Sequence, residues 1–413
     1  MKQLFPFAFL ALLAWACGNK NSTEGQRGKE DSIPRKGTFG FDIAFLKKHK
    51  DVLVLGDSGS GAQIAIIKDY QARVMTSTAI GKTGNSYGWI NYELIQSGKS
   101  QPHINPLGGE DRFWLGPEGG QYSVFFKKGS SFDFEHWQTP APVDSEPFDL
   151  ISANTTEAIF RKSTTLVNYQ GFEFNFDINR KIKILNNDAI GHEFGFTSGS
   201  LHAVAFESNN AITNTGKKGW TKKTGLLSIW ILGMYNPSDK TTIILPYEKS
   251  ADFTKKVTDN YFGTIPSDRI VESDSLLLLK GDGRYRGKVG IAPAIAKNIA
   301  GSYDAGRHIL TLVKFDVNKN ADYVNSKWEL QKEPYRGDVV NSYNDGPLVN
   351  GGQLGPFYEL ESSSPAKELK PGETLEHRHI TLHLEGDESL LNEIAWKTLG
   401  VSLADIARVF NKK

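Results

Sequence analysis

The stretch Gly108-Gly-Glu-Asp-Arg-Phe-Trp-Leu-Gly-Pro-Glu-Gly-Gly-Gln121 combines several glycines and a proline with acidic residues, one arginine and one tryptophan. Glycine permits positive φ and lets the backbone approach a ligand closely. An aromatic ring beside arginine and carboxylates is a typical pocket lining for a polar, ring-shaped ligand such as a sugar. The alternative is a structural loop, in which the arginine pairs with a neighbouring acid and the tryptophan caps the core. The functional interpretation predicts four binding residues, Arg112, Trp114, Glu118 and Glu110.

Strand-like runs lie on both sides of this stretch, with turn signals roughly every ten residues. This spacing, without alternating helices, predicts an all-β chain built as a large sandwich or barrel. Short helices are expected near both ends, at residues 39–48, 388–399 and 402–410. The predicted strands are 52–55, 62–67, 72–77, 122–126, 158–167, 172–178, 181–185, 202–206, 226–232, 241–246, 275–280, 308–315, 357–361 and 374–384.

Composition limits the partners of the chain. It has 413 residues, a formal net charge of +1, 39% hydrophobic and 23% charged residues. This is the composition of a globular protein with ample core, and its near-neutral charge predicts no nucleic-acid partner. A single cysteine predicts neither an intrachain disulfide nor a thiolate metal site.

The N-terminus has the pattern of a targeting segment. Lys2 precedes a short apolar run at residues 4–14, and the small residue Ala16 directly precedes the only cysteine, Cys17. This resembles a bacterial lipoprotein lipobox, with Trp15 as a departure from it; the alternative is an ordinary secretory signal. We predict a signal peptide at residues 1–17, lipidation of Cys17 and a flexible tether at 18–37. The residues after the cysteine lack the aspartate that favours retention in the inner membrane, so we expect the outer membrane. The sequence does not determine on which face of that membrane the domain lies.

An acidic strand near the C-terminus is a second candidate for chemistry. Glu359 and Glu361 are two positions apart and would share one face of a strand. Paired carboxylates suit general-base work or cation binding. The alternative is a solvent-facing polar edge.

A calcium site is a further option at Glu110, Asp111 and Glu118, whose carboxylates could supply oxygen ligands. The sequence does not decide whether calcium binds there.

Three segments resemble the galactose mutarotase-like (aldose 1-epimerase-like) superfamily of large β-sandwiches. They are the predicted strand pair 62–77, the 108–121 stretch, and the acidic strand with the turn Leu369-Lys-Pro-Gly-Glu373. The resemblance spans roughly residues 39–385, within an uncharacterised lipoprotein branch. It implies a sandwich domain at 38–386, followed by a helical cap at 387–413. Members include sugar epimerases, carbohydrate-binding domains, and domains of lyases and glycoside hydrolases.

The resemblance also implies roles for individual residues. Glu359, or else Glu361, corresponds to the catalytic base on a late strand, and Arg112 to the arginine that holds a sugar oxygen. His192 and His202 are candidates for the histidine acid of a middle strand. The usual Asn-His and His-Gly pairs are absent from this sequence, which places aldose epimerisation in doubt. The segment that contains Asn344 flanks the acidic strand and is expected at the rim of the same cleft.

The functional prediction is an envelope-anchored protein that binds a mono- or oligosaccharide and acts on it by epimerase-like acid/base chemistry. Base and acid would lie on opposite sides of the anomeric centre, since one takes the anomeric proton and the other protonates the ring oxygen. A non-catalytic glycan-binding lipoprotein and a glycoside hydrolase or lyase are the alternatives. No cofactor is predicted, with calcium left open, and the lipid anchor is the only expected membrane contact.

Overall fold

The computed structural model describes residues 35–57, 59, 61–249, 257–348 and 351–410. The predicted lipidation site Cys17 and most of the predicted tether lie outside these ranges. Within them the strands are β1 (Leu53–Gly56), β2 (Gln63–Ile67), β3 (Arg73–Thr78), β4 (Arg112–Gly116), β5 (Asp149–Ala153), β6 (Glu157–Val167), β7 (Glu173–Leu185), β8 (His202–Asn214), β9 (Ser228–Tyr235), β10 (Thr241–Pro246), β11 (Val257–Thr258), β12 (Ile270–Glu272), β13 (Leu276–Lys280), β14 (Gly287–Ile291), β15 (Ile299–Asp304), β16 (Ile309–Phe315), β17 (Val340–Asn344), β18 (Tyr358–Ser363) and β19 (Thr374–Glu385).

Six α-helices lie among the described residues: α1 (Phe39–His49), α2 (Tyr92–Ser97), α3 (Ala141–Asp144), α4 (Asn187–Phe194), α5 (Glu388–Leu399) and α6 (Leu403–Arg408). Local signals set their ends. Thr38 caps α1 by accepting from the Phe41 amide, and Gly400 ends α5 in the left-handed conformation. None of these helices is long and apolar enough to span a bilayer.

The strands form three antiparallel sheets. A ten-stranded sheet has the order β12-β13-β10-β15-β16-β19-β8-β7-β6-β5. A six-stranded sheet has the order β11-β14-β17-β18-β9-β4, and β1, β2 and β3 form a smaller sheet. Because many neighbours are distant in sequence, this arrangement is fixed by tertiary pairing and not by local turns.

The main core lies between the two large sheets. Leu360 of β18 and Val289 of β14 pack in one cluster with Leu245 of β10 and Val313 of β16. Full burial of each such side chain contributes about 1.5–3 kcal/mol. Since side chains alternate along a strand, Glu359 and Glu361 point away from this core, to the outer face of the six-stranded sheet.

The two large sheets differ in what covers their outer faces. Helices α5 and α6 place Leu391 and Leu403 against Leu312 and Leu382 of the ten-stranded sheet, so this face is closed by apolar packing. The outer face of the six-stranded sheet carries charged and aromatic side chains and is covered by loops. The second face therefore provides the candidate site.

The prediction of an all-β sandwich with short helices near both ends is confirmed. Two predicted strands, 172–178 and 181–185, are one continuous strand, β7, because Arg180 is buried in the sheet and makes no turn. The predicted strand 122–126 is a series of turns. The predicted 108–121 loop contains a strand, β4, and His192 lies on helix α4 and not on a strand.

Candidate functional site

Sheet register brings the candidate residues together. Arg112 of β4 lies opposite Leu232 of β9, and Glu361 of β18 lies opposite the same leucine from the other side. Glu359 lies opposite Met234, two positions further along β9. Strand alternation therefore puts Arg112, Glu359 and Glu361 on one face of three adjacent strands.

This face forms the floor of a cavity of about 70 Å³, which we call the aromatic cavity. Four of the residues predicted to bind or act on a ligand line it together, although they come from two distant parts of the sequence. Its lining consists of Ile104, Arg112, Trp114, Glu118, Phe134, Trp137, Trp230, Leu232, Met234, Phe262, Arg286, Lys288, Trp328, Tyr343, Leu354, Phe357 and Glu359.

Two buried ion pairs organise the charge of the floor. Arg112 Nη2 donates to Glu359 Oε1, with the two side chains 2% and 7% exposed. Lys288 Nζ donates to Glu361 Oε2 at 3.0 Å, and Trp230 Nε1 donates to the same oxygen at 2.9 Å. The structure contradicts the expected pairing of Arg112 with a neighbouring acid, whereas Trp114 is buried in a hydrophobic cluster, as the structural alternative expected. The acidic strand is buried and is not a solvent-facing edge.

The environment favours the protonated form of two carboxyls in the cavity. Burial raises the pKa of Glu359 to about 7, against the opposing effect of the Arg112 guanidinium and with a further rise from Glu361. Burial also raises the pKa of Glu118, while Lys288 opposes that shift. Burial would lower the pKa of Lys288, but Glu361 and Glu118 outweigh it, so its pKa is raised and it stays charged. A carboxyl with a pKa of about 7, such as Glu359, is suited to proton transfer near neutral pH.

Tryptophan rings form much of the wall. The Trp114 ring lies 5.5 Å from Trp230, edge to face, and 6.5 Å from Trp137. Trp137 stacks on Trp328 at 5.8 Å, and the Arg112 guanidinium lies 4.9 Å from the Trp114 ring. Such rings supply rigid apolar area beside the polar floor.

Several polar atoms of this site have no hydrogen-bond partner among the described residues. They are Arg112 Nε, Trp114 Nε1, Trp137 Nε1 and Glu361 Oε1, all buried. Buried donors and acceptors are normally satisfied, so each of these atoms has unused hydrogen-bonding capacity. Arg112, Trp114 and Trp137 line the aromatic cavity, whereas Glu361 lies behind the lining, and three unused donors suit the hydroxyl oxygens of a polyol.

A tight loop positions Glu118. Its amide donates to Ser326 Oγ at 3.2 Å. At the next residue, Gly119, an added Cβ would lie 2.2 Å from the Lys327 carbonyl oxygen. Only glycine allows this close approach of the 117–120 and 326–328 segments, which brings Glu118 and Trp328 to the same cavity.

The other predicted site residues lie elsewhere. His192 is 87% exposed on α4, where Glu193 is its nearest acidic partner at 3.6 Å, and His202 is exposed at the first position of β8. Glu110 accepts from His383 Nε2 at 2.8 Å within the sandwich, and Asn344 Oδ1 accepts from the Gly283 amide at 2.9 Å. The predicted partnership of Glu359 with a histidine acid is therefore not formed, because neither candidate histidine reaches the cavity.

The three acids considered for calcium do not lie together. Asp111 forms a fully buried ion pair with Arg180, Glu110 accepts from His383, and Glu118 lines the aromatic cavity. Among the residues that the structure describes, no cluster of three or more histidine, cysteine or acidic side chains is arranged to hold a metal ion.

Several lining residues were missed at the level of sequence, notably Trp230, Lys288 and Trp328. The alternation of Trp230, Leu232 and Met234 is visible in the sequence, but all three resemble ordinary core residues. Lys288 was easier to recognise than the tryptophan. It lies within the short run Gly287–Ile291, and a lysine in a buried strand must have an acidic or polar partner.

Solved structures with the same architecture align over most of the chain. The Slr1438 protein from Synechocystis sp. PCC 6803 is 12% identical, with a TM-score of 0.50 over 82% of this chain and 96% of that protein. A putative aldose 1-epimerase from Escherichia coli K12 is 10% identical, with a TM-score of 0.48 over 81% of this chain and 99% of its own. A galactose mutarotase-like protein from Lactobacillus casei is 11% identical, with a TM-score of 0.48 over 81% and 100%.

At such low identity the likeness to the Slr1438 protein concerns the fold alone, and with the observed antiparallel sheets it confirms the predicted large β-sandwich. No curated protein sequence matches the chain. One family-wide sequence model, described as a family of unknown function (DUF6786), does match, and it covers residues 37–410. The chain belongs to the DUF6786 family.

Proposed function

We propose that the protein binds a sugar in the aromatic cavity and acts on it by acid/base chemistry, with Glu359 as the base. The observation that supports this most directly is a buried carboxyl, with its pKa raised to about 7, on the floor of a tryptophan-lined cavity. A carboxyl that is part ionised at neutral pH can both take and return a proton. The orphaned donors beside it suit sugar hydroxyls.

The proposed acid is Glu118, which replaces the expected histidine. Burial raises the pKa of Glu118 above the ordinary value, which shifts its equilibrium toward the protonated form, and Glu118 lines the same cavity. In an epimerase-like reaction, ionised Glu359 takes the anomeric hydroxyl proton while Glu118 donates its proton to the ring oxygen. The bond between C1 and the ring oxygen then breaks to leave an open-chain aldehyde. Closure on the opposite face of the carbonyl returns both protons and yields the other anomer.

The second candidate function is glycan binding without catalysis. The ion pair of Glu359 with Arg112 favours it, because a carboxylate already engaged by a buried guanidinium is a weaker base. A glycoside hydrolase or lyase would use the same two carboxyls. The three outcomes differ in what happens to the sugar and are separated by a single type of measurement.

We also propose that the chain is lipid-anchored at Cys17 to the bacterial envelope, with the outer membrane as the expected location. This proposal is supported by the sequence alone: a short apolar segment, a small residue before the sole cysteine, and a polar segment after it. Under it, the sandwich would meet a carbohydrate outside the cytoplasm.

An NMR time course of the full-length protein in detergent, with monosaccharides and plant or algal oligosaccharides, tests the function. Faster exchange between anomers establishes an epimerase. New reducing ends or vinylic protons establish hydrolysis or elimination instead. Line broadening with unchanged chemistry establishes the non-catalytic binder. Spectra that neither change nor broaden reject the aromatic cavity as a sugar site for that panel.

A further inference from the structure

The aromatic cavity has room for about one sugar unit. Its 70 Å³ holds roughly five water molecules, at about 10–15 Å³ of such volume for each. A longer chain whose end reaches Glu359 must therefore extend out of the cavity. What lies beside the cavity decides whether it favours a free sugar or the end of a longer chain.

A second, larger space of about 580 Å³ lies beside the aromatic cavity, and we call it the side groove. Ile104, Phe134 and Leu354 line both the aromatic cavity and the side groove, so the two are neighbours that share a wall. A chain that leaves the cavity over this wall enters the side groove.

Phe134 is the exposed part of this shared wall. Its side chain is 44% exposed, unusual for a phenylalanine, yet its ring is held in place. It stacks near-parallel on Trp137, with ring centroids 6.0 Å apart, and lies 4.8 Å from the His103 ring. A fixed, exposed aromatic face at the exit of the cavity is positioned to support the ring that follows the first one.

His103 lies beside this platform in a conformation that costs free energy. Its φ is +68°, in the left-handed region that residues other than glycine seldom occupy. Its Nδ1 bonds the Trp137 carbonyl at 2.6 Å, and its own carbonyl accepts from the Thr139 amide at 2.8 Å. The surrounding bonds thus hold the histidine against Phe134 despite the strain, as is common at binding sites.

The groove combines an apolar lining with polar side chains of both charges. Glu93, Lys99 and Gln101 line it and are exposed. One acid, one base and one amide along a wall suit a neutral chain of hydroxyl groups better than a strongly charged polymer, since neither sign prevails.

From these features we infer that the ligand is an oligosaccharide chain whose terminal sugar enters the aromatic cavity, while the following sugars run over Phe134 into the side groove. This rests on the proposed function and adds the ligand class, a neutral chain of two or more linked sugars. A free monosaccharide would leave the groove empty and lose those contacts.

Isothermal titration of the full-length protein with β-1,4-glucan, β-1,4-xylan and β-1,3-glucan oligosaccharides, each from one to five sugars, tests the inference. For a series that binds, we expect the trisaccharide to bind at least about tenfold more tightly than the monosaccharide, which corresponds to about 1.4 kcal/mol. Phe134→Ala should abolish most of this gain with chain length. Because Phe134 also lines the aromatic cavity, the gain is measured as the ratio of trisaccharide to monosaccharide affinity within each variant. Phe134→Tyr should preserve the gain, because the aromatic platform remains.

Trp396→Ala is the matched control, since Trp396 is also an exposed aromatic, at 63%, and lies on α5 outside both spaces. It should leave the dependence on chain length intact. Equal affinity for one and three sugars would overturn the inference while the proposed function stands. A length dependence that survives in Phe134→Ala would overturn it as well. Failure of every sugar in all three series to bind would overturn both.

Discussion

The guanidinium of Arg112 in β4 donates to the carboxylate of Glu359 in β18 across the intervening strand β9, although 247 positions separate the two residues in sequence. Both side chains are buried, so each charge depends on the other. Removing water from a charge costs several kcal/mol, and a nearby opposite charge offsets part of this cost. The pair thus keeps a charge in the cavity and ties two distant strands of the sheet to the same site.

Glu359→Gln should abolish turnover of the sugar. The amide retains an oxygen for Arg112 but cannot accept a proton, so we expect kcat to fall by a factor of about 10²–10⁴ with ligand affinity nearly unchanged. Steady-state kinetics and titration with the same sugar measure the two effects separately. A variant that retains wild-type kcat would exclude Glu359 as the base. Glu376→Gln, an exposed position of β19, is the control and should behave as wild type.

The pH dependence of activity and stability should run in opposite directions. Because the base must be ionised, kcat/KM should rise with pH through about 7, the pKa of Glu359. The folded pKa lies above the ordinary value of 4.5, so the contribution of this carboxyl to the free energy of unfolding is complete below about pH 4.5. That contribution is lost as the pH rises through about 7.

Urea unfolding of the wild type and of Glu359→Gln at about pH 5 and pH 8 isolates this contribution. The wild type should lose more stability than the variant between the two conditions, since only the wild type ionises at this position. An equal loss in both proteins, or a kcat/KM that stays flat across neutral pH, would contradict the assignment of the raised pKa to Glu359.

Lys288→Met should destabilise the fold. It leaves Glu361 fully buried with Trp230 as its remaining hydrogen-bond partner among those described, and breaking such a pair costs about 3–5 kcal/mol. Arg336→Met removes an ion pair with Glu333 whose side chains are 78% and 60% exposed, and should cost about 0–1 kcal/mol.

Urea denaturation compares these two variants directly. A double variant, Lys288→Met with Glu361→Leu, should recover much of the loss, because no uncompensated charge then stays buried. If Lys288→Met costs no more than Arg336→Met, the floor of the cavity is more solvated than its burial indicates.

The sequence was sufficient to predict the all-β architecture and part of the cavity. Glycine-rich turns, alternating strands and cap residues are local signals, which is why α1, α5 and most of the strands lie where expected. Arg112, Trp114 and Glu118 were identifiable because one short stretch holds all three, and Glu359 because paired acids in a strand are unusual. Their convergence on one cavity depends on strand pairings that a single sequence does not encode locally.

The histidine prediction failed for a different reason. The prediction for His192 rested on the histidine acid that the family resemblance implies. The residues around it form a helix instead: Asn186 caps the Ala189 amide, and Gly195 ends the helix at positive φ. Those signals were present in the sequence and predict a surface helix, not a strand over the site. Lys288 and Trp230 were missed because their common partner, Glu361, lies in another strand.

Cys17→Ser should release the protein from the membrane. If Cys17 carries the lipid, the wild type partitions into the membrane fraction and the variant does not, because serine cannot form the thioether. Fractionation with labelled palmitate measures both attachment and location. Lys20→Ser is the matched control and should stay membrane-bound and labelled. Equal labelling of wild type and Cys17→Ser, or a soluble unlabelled wild type, would reject the anchor.

Gly119→Ala should weaken sugar binding although it changes none of the side chains that line the cavity. The new Cβ would lie 2.2 Å from the Lys327 carbonyl oxygen, so the 326–328 segment must shift and take Trp328 with it. We expect a loss of stability of about 1–3 kcal/mol and a lower affinity, measured by urea unfolding and titration.

Gly129→Ala is the control for this prediction. Its φ is +81°, but no atom lies within 4 Å of the added Cβ, so the variant should lose about 1 kcal/mol of stability and keep its affinity for sugar. Equal affinities for the two variants would show that the close approach at Gly119 does not position the tryptophan wall.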